Sequence, residues 1–176
     1  MYAVNCLLNH IDLLCVMPTG AGKSIVIYIF ALCIRKLNPT GIVVVGQPLS
    51  SLINEQHTNP LRVPVLTMSM GGKVRGTSVD GIGMPPSLGQ DSAERLSKDV
   101  SVEEACGGRF AVFCGHPESF DSKPGQEVLR RMAREGMIMS VMLDEVHQGT
   151  GVYITVTNSS SELIFVKNPG GIRATF

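Results

Sequence analysis

Short apolar runs alternate along the chain with segments long enough to form helices. The apolar runs are 12–17, 42–45, 63–68, 110–114 and 137–143, and the expected helices are 23–37, 49–56 and 126–135. The segment 23–37 contains neither Pro nor Gly, and Asn38-Pro39 ends it. Strands without polar–apolar alternation, separated by helices, are typical of a parallel sheet that is buried on both faces. The pattern therefore predicts an α/β fold with a mostly parallel sheet covered by helices on both faces.

Two segments depart from this pattern. Residues 71–108 are rich in Gly, Ser and Pro and show little periodicity, which predicts a long mobile surface insertion with one helical turn near 92–98. Beyond residue 148, two apolar runs flank the polar turn Asn158-Ser-Ser-Ser161, which predicts a β-hairpin. We expect one domain over 1–148, with the insertion at about 71–108, and a divergent tail over 149–176.

Composition limits the possible partners. Lys plus Arg and Asp plus Glu number fifteen each, so a formal net charge of zero gives no overall attraction for nucleic acid. The five cysteines are scattered without a CxxC pair, which indicates a reducing compartment. No segment approaches the ~20 apolar residues of a membrane span, and the N-terminus does not resemble a signal peptide. We expect a soluble protein of the nucleus or another intracellular compartment, with no membrane partner.

The first candidate for chemistry is the turn Met17-Pro-Thr-Gly-Ala-Gly-Lys-Ser24. A loop that wraps nucleotide phosphates must bring backbone N–H groups close to anionic oxygens, which Gly20 and Gly22 permit. The following helix directs its positive end at the same charge, Lys23 can reach the outer phosphates, and the Ser24 hydroxyl can join the shell of a Mg²⁺ ion. The general pattern has Gly at its first position, where this chain has Met. A chance glycine turn before a helix is the structural alternative. The candidate nucleotide-binding residues are Pro18, Thr19, Gly20, Ala21, Gly22, Lys23 and Ser24.

The second candidate is the acidic pair in Asp144-Glu145-Val146-His147, at the end of the last buried run. Acids at the carboxyl end of a buried strand are costly unless they face a cation or a cleft. Beside a phosphate loop, Asp144 would bind Mg²⁺ with Ser24, and Glu145 would polarise the water that attacks the γ-phosphate. His147 would couple the nucleotide state to a neighbouring domain. Solvated acids at a strand end are the alternative interpretation. The two motifs together predict an ATPase with Lys23 and Glu145 as catalytic residues.

These two motifs resemble those of superfamily-two helicases of the DEAD/DEAH group. Residues 47–52, followed by Glu55-Gln56, look like the RecQ-family segment Ser-Pro-Leu-x-Ser-Leu, although Gln47 stands where that family has Ser. Gly115-His-Pro-Glu118 is similar to the Thr-Pro-Glu element of the same family. The resemblance covers 2–148 and implies a RecA-like P-loop NTPase domain that uses ATP and Mg²⁺ to unwind nucleic acid. By resemblance, the contacts to single-stranded nucleic acid, DNA in that family, would come from Ser51, Gln56, Pro117 and Glu118.

The resemblance stops after Gln148. The family's aromatic-rich loop contains Trp, and this sequence has none; a second RecA-like domain and a four-cysteine zinc module are also missing from it. We therefore expect a truncated first motor domain that binds ATP, hydrolyses it slowly at best and does not translocate. We expect no zinc in this segment, because Cys106, Cys114 and His116 have no suitably spaced fourth ligand. The alternatives are a non-catalytic nucleotide- or protein-binding module derived from a helicase domain and, more weakly, a small phosphate-loop kinase.

Overall fold

The computed structural model describes residues 2–9, 11, 13, 22–47, 63–77, 97–143, 152–156 and 163–167. The helices are α1 (Tyr2–Leu8), α2 (Lys23–Leu37), α3 (Val102–Ala105), α4 (Pro117–Asp121) and α5 (Lys123–Arg134). The strands are β1 (Ile42–Gly46), β2 (Val65–Met68), β3 (Val74–Thr77), β4 (Ser97–Asp99), β5 (Val112–Gly115), β6 (Ile138–Leu143), β7 (Val152–Val156) and β8 (Leu163–Lys167). The predicted helix 23–37 is confirmed at both ends. The predicted helix 49–56 lies outside the described residues. So does the predicted strand 12–17 apart from Leu13, which is not in a strand.

Six of the strands form one mixed sheet in the order β4-β3-β2-β5-β1-β6. The four strands β2, β5, β1 and β6 are mutually parallel. β3 is antiparallel to β2, and β4 is antiparallel to β3. The predicted α/β fold with a mostly parallel sheet is confirmed.

Helices cover both faces of this sheet, and the side chains of β1 point alternately into the core on one face and the core on the other. Ile42 and Val44 point to the face covered by α5, whereas Val43 and Val45 point to the face covered by α2. All four side chains are fully buried. The α5 face also holds an edge-to-face pair of Phe113 and Phe120. The core residues that α2 contributes to the other face are Ile27, Tyr28, Phe30, Ala31 and Ile34.

The interpretation of 71–108 as a long mobile surface insertion is wrong at both ends of that range. Residues 74–77 and 97–99 are strands that extend the sheet, and the helix of the region is 102–105. The predicted helical turn at 92–98 is contradicted at Lys98, which lies in β4. The physical reason is that an antiparallel edge obtains its backbone hydrogen bonds from its neighbour and needs little apolar signal. Residues 78–96 lie outside the described part of the chain.

In the segment predicted as a tail, β7 and β8 pair antiparallel, with Val152 opposite Lys167 and Val156 opposite Leu163. They form a two-stranded sheet distinct from the six-stranded one. The domain boundary near residue 148 stays a prediction.

Candidate functional site

Helix α2 begins at a glycine that has a left-handed backbone. Gly22 has φ 87° and ψ 27°, a conformation that residues with a side chain seldom adopt. As the N-cap it supplies no side-chain hydrogen bond, and the first turn of the helix contains no acidic residue. Lys23 and Ser24 follow in that first turn, and both are half-buried. An uncapped helix N-terminus with a lysine and a hydroxyl beside it suits an anionic ligand.

The C-terminus of α2 lies at the amino ends of the central strands. The Asn38 amide lies 3.4 Å from the Met139 sulfur, near the start of β6. A methyl group added at Gly41, just before β1, would lie 2.8 Å from Ile34 Cγ2. Nearby, Arg35 donates a 2.5 Å hydrogen bond to the Gly108 carbonyl oxygen. Because α2 therefore runs antiparallel to these strands, its N-terminus points to their carboxyl edge.

The four parallel strands end together at that edge. Met68 of β2 is the register partner of Gly115 of β5, which pairs with Gly46 of β1, which in turn pairs with Leu143 of β6. We call this row of four residues the crest. Ligands of open α/β sheets bind at the carboxyl ends of the strands. The crest is therefore the edge at which a ligand of this fold is expected.

The residues that follow the crest on β1 and β5 are Gln47 and His116. Gln47 continues the strand ladder, since its backbone N–H donates to the Gly115 carbonyl oxygen at 2.9 Å. His116 also has an extended backbone, with φ −67° and ψ 139°. Because side chains alternate along a strand, and Val45 and Cys114 face α2, Gln47 and His116 also belong to the α2 side. The side of the crest that receives the N-terminus of α2 thus carries two polar residues.

Two crest residues are glycines for a steric reason. A methyl group on Gly46 would lie 2.8 Å from Leu143 Cδ2, and one on Gly115 would lie 2.8 Å from Phe120 Cζ. Both methyl groups would enter the α5 side, where these larger side chains already fill the space. The glycines therefore let the end of β6 and the start of α4 pack closely against the central strands.

The side chains of His116 and Glu118 are in contact at the end of β5. His116 Nδ1 meets Glu118 Oε2 across the first turn of α4, in which Pro117 is the first residue. The His116 side chain is 18% exposed and the Glu118 side chain 50%. The contact holds one face of the Glu118 carboxylate toward the protein and leaves the group accessible to solvent. The resemblance named Pro117 and Glu118. Sequence reasoning considered His116 only as a zinc ligand and did not predict its contact with Glu118, for which the signal was its position two residues before the glutamate.

Gln47 is a second feature that sequence reasoning did not assign. Its side chain is 1% exposed, and its Oε1 atom has no hydrogen-bond partner among the residues that the structure describes. A buried carbonyl oxygen without a partner costs about 1–3 kcal/mol. Such a cost at the edge where ligands bind is a reason to look for a functional role.

The oxygen atoms at this edge of the sheet suit the Mg²⁺ ion that the sequence predicts. Mg²⁺ prefers oxygen ligands, and the Ser24 hydroxyl at the N-terminus of α2 is such a donor. Asp144 directly follows Leu143 in the chain and would add a carboxylate oxygen, so the donor set suits the ion. Within the ranges that the structure describes, no cluster of three His, Cys, Asp or Glu residues could hold a metal by itself.

Complete burial raises the pKa of the Cys114 thiol far above its ordinary value, so the thiol stays protonated.

The structure describes some of the residues predicted for the site and not others. Gly22, Lys23 and Ser24 lie at the N-terminus of α2, and Pro117 and Glu118 lie at the crest, so these two groups share the carboxyl edge of the sheet. The predicted residues outside the described ranges are Pro18, Thr19, Gly20, Ala21, Ser51, Gln56, Asp144, Glu145 and His147.

An α/β sheet with a glycine-started helix aimed at its carboxyl edge defines a RecA-like nucleotide-binding domain. The family model of the DEAD/DEAH box helicases matches residues 1–156 of the chain. The chain belongs to the DEAD/DEAH box helicase family. The comparison with curated proteins found no match to it. The matched range ends inside the segment that we predicted as a tail.

Membership of this family carries general properties. Its members are helicase-type motor domains that bind ATP, use it with Mg²⁺ and act on nucleic acid. Of the helices in the described residues, none has the length and apolar character to cross a membrane.

Proposed function

We propose that this chain is the ATP-binding motor domain of an ATP-dependent DNA helicase, similar to the RecQ family, that couples ATP hydrolysis to strand separation. The observation that carries the proposal is the shared edge. The N-terminus of α2 and the carboxyl end of β6 lie at the same edge of the sheet, and Asp144-Glu145 directly follows β6. This arrangement supports a common ligand for the phosphate loop and the acidic pair.

In this proposal the residues at the carboxyl edge of the sheet have separate roles. The loop from Pro18 to Ser24 binds the phosphates through backbone N–H groups, and Lys23 binds the outer phosphates with its ammonium group. Ser24 and Asp144 hold Mg²⁺, which when bound offsets the charge of the phosphates.

Glu145 acts on the attacking water. The water oxygen bonds to the γ-phosphorus, the bond between that phosphorus and the β-phosphate oxygen breaks, and ADP leaves with the electron pair. Glu145 takes the proton of the water. His147 transmits the change of nucleotide state.

The proposal of single-stranded DNA as the partner rests on two segments. Residues 47–56 contain Ser51 and Gln56, and the other segment contains Pro117 and Glu118 at the crest. With a net charge of zero, the domain has no general attraction for polyanions, so local contacts such as these must select the strand. A DNA substrate agrees with the predicted nuclear or other intracellular compartment.

The test compares nucleotide binding with hydrolysis in three variants. For Lys23→Ala we expect ATP affinity to fall about 100-fold, because a charge-assisted contact to the phosphates is lost. For Glu145→Gln we expect unchanged affinity and hydrolysis slowed by about 10²–10⁴-fold, because the general base is lost. Lys36→Ala is the matched control, since it removes an exposed lysine at the opposite end of the same helix. Binding is measured by fluorescence of a labelled ATP and hydrolysis by phosphate release.

Two outcomes would redirect the proposal. Equal hydrolysis by the wild type and Glu145→Gln would favour a non-catalytic nucleotide- or protein-binding module. Equal stimulation of hydrolysis by single-stranded DNA and by single-stranded RNA of the same sequence would contradict the DNA assignment.

A further inference from the structure

We propose that Gln47 orients the water that attacks the γ-phosphate, by accepting a hydrogen bond through its side-chain oxygen. This inference rests on the proposed function, because it needs a nucleotide at the crest. It adds a residue that neither motif of the site includes.

Gln47 lies at the carboxyl edge of the sheet, next to the end of β6. Gln47 follows Gly46, whose register partners are Gly115 on one side and Leu143 on the other. Neighbouring strands of a sheet lie about 4.8 Å apart, so Gln47 is one strand away from the end of β6. The alternation along β1 directs its side chain to the α2 side, toward which the N-terminus of α2 also points.

The side-chain oxygen of Gln47 lacks a hydrogen-bond partner among the described residues. The Gln47 side chain is buried, and within the described part of the chain its Oε1 atom accepts no hydrogen bond. Buried polar atoms are nearly always paired, so an unpaired one next to a ligand edge indicates a partner that arrives with the ligand. This carbonyl oxygen can accept from an O–H or N–H group, and an ionised phosphate oxygen has no hydrogen to donate, so a water molecule is the partner that suits the atom.

The attack of water on the γ-phosphate benefits from a second hydrogen-bond acceptor. A water nucleophile has two protons, and Glu145 can accept only one of them. If the second proton also has a fixed acceptor, the lone pair of the oxygen is held toward phosphorus, and the entropy of orientation is removed from the barrier. A glutamine side chain orients the attacking water in this way in other phosphate-loop enzymes. Gln47 supplies an acceptor of the same kind from the strand next to β6.

The test is Gln47→Met, which keeps the length of the side chain and removes both polar atoms. We expect single-turnover hydrolysis to slow by about tenfold to a hundredfold, because the water loses its second acceptor. ATP affinity should stay within about twofold, because no contact to the nucleotide itself is lost. Without nucleotide and Mg²⁺, the melting temperature should be unchanged or higher, because an unpaired polar atom has left the core. A side chain with a purely structural role would not combine slower hydrolysis with preserved stability.

Ser119→Ala is the matched control. Ser119 Oγ is likewise buried and without a hydrogen-bond partner in the described residues, but it lies within α4 and not at the end of a parallel strand. Its removal should leave the hydrolysis rate unchanged.

The outcomes separate this inference from the proposed function. Wild-type hydrolysis by Gln47→Met, with the expected losses in Lys23→Ala and Glu145→Gln, overturns the role of Gln47 and leaves the function standing. A fall of more than about 4 °C in the melting temperature of nucleotide-free Gln47→Met also overturns it, since the side chain then has a structural partner. A wild type that neither binds nor hydrolyses ATP overturns both.

Discussion

Helices α2 and α5 cover opposite faces of one sheet, and their N-termini are built in opposite ways. The N-cap of α5 is Ser122, whose hydroxyl oxygen accepts a hydrogen bond from the Gly125 N–H at 3.2 Å. The short helix α3 is closed more fully, by a capping box between Ser101 and Glu104. In contrast, α2 begins at Gly22 without any side-chain cap. The N-cap of α4, His116, also makes no capping hydrogen bond with its side chain, so the two described N-caps without one belong to the helices whose N-termini lie at the carboxyl edge of the sheet. An N-terminus without a side-chain cap suits an anionic ligand.

The largest effect on stability is expected at Gly125, in the first turn of α5, because this residue packs against the backbone of α4. A methyl group at Gly125 would overlap the Ser119 carbonyl oxygen and lie 2.9 Å from Phe120 Cα. These are backbone atoms that cannot rotate away, so Gly125→Ala should lower the free energy of unfolding by about 3 kcal/mol. Urea denaturation measures this loss, and the folded protein should bind ATP with wild-type affinity. An unchanged unfolding midpoint would show that the corner between α4 and α5 tolerates a side chain.

At the open end of α2, an intermediate effect on stability should come with a large effect on binding. Gly22→Ala forces a side chain into the left-handed region, at a cost of about 1 kcal/mol in the free energy of unfolding. The strained turn also shifts the backbone donors, so ATP affinity should fall by about tenfold or more. Denaturation and titration with a fluorescent nucleotide measure the two quantities on the same sample.

The comparison is sharpened by the corresponding change in α5. Ser122→Ala removes the N-cap, which costs about 1 kcal/mol in stability, and ATP affinity should not change. The two variants then differ in binding although they match in stability. Equal losses of ATP affinity in both would mean that affinity follows stability and that the open end of α2 has no special role.

The smallest effect concerns the dependence of α3 on pH. A backbone hydrogen bond at Glu103 and a hydrogen bond with Ser101 hold the pKa of the Glu103 carboxyl below its ordinary 4.5. Because the pKa is lowered in the folded state, the carboxylate stabilises the helix above that ordinary value, and the stabilisation is lost as the pH falls below it. The protection of the α3 amides, expressed relative to the intrinsic exchange rate at each pH, should therefore fall between about pH 5 and about pH 3, and Glu103→Gln should remove this fall. An equal fall in protection in both proteins would assign it to other groups.

Most of the sheet could be predicted because its strands are short apolar runs. The run 42–45 is continuous and completely buried, as expected for a strand that is covered on both faces. The run 137–143 is apolar apart from Ser140, although all six residues of β6 are only half-buried. Helix 23–37 was predicted at both ends because Gly22 and Asn38-Pro39 limit a run without breakers.

The sheet edge at β3 and β4 could not be predicted in the same way. Val74 is the only buried apolar residue in the four positions of β3, and Lys98 and Asp99 of β4 are exposed. Their pairing depends on the backbone of β2, which leaves no periodic signal in the sequence. Helix α3 did leave a signal, the spacing of Ser101 and Glu104 typical of a capping box, which was not used.

Prediction of the site had a similar limit. The spacing of residues within the phosphate-loop motif predicted roles for Lys23 and Ser24, and the resemblance to a helicase family predicted one for Glu118. Gln47 and His116 gain their interest from the register between β1 and β5, which brings together residues far apart in sequence. A pattern along one strand contains no information about its neighbour until the strand order is known.

The close contact at the crest also has a consequence for how this sequence can change over generations. Gly46 and Leu143 occupy one shared volume, since a methyl group on the first would lie 2.8 Å from the second. A larger residue at position 46 would require either a shift of the Leu143 side chain or a smaller residue at position 143, so the two positions are expected to vary together in descendants of this gene. Leu143 directly precedes the acidic pair Asp144-Glu145. Its contact with Gly46 would therefore limit which residues evolution can place next to that charged motif.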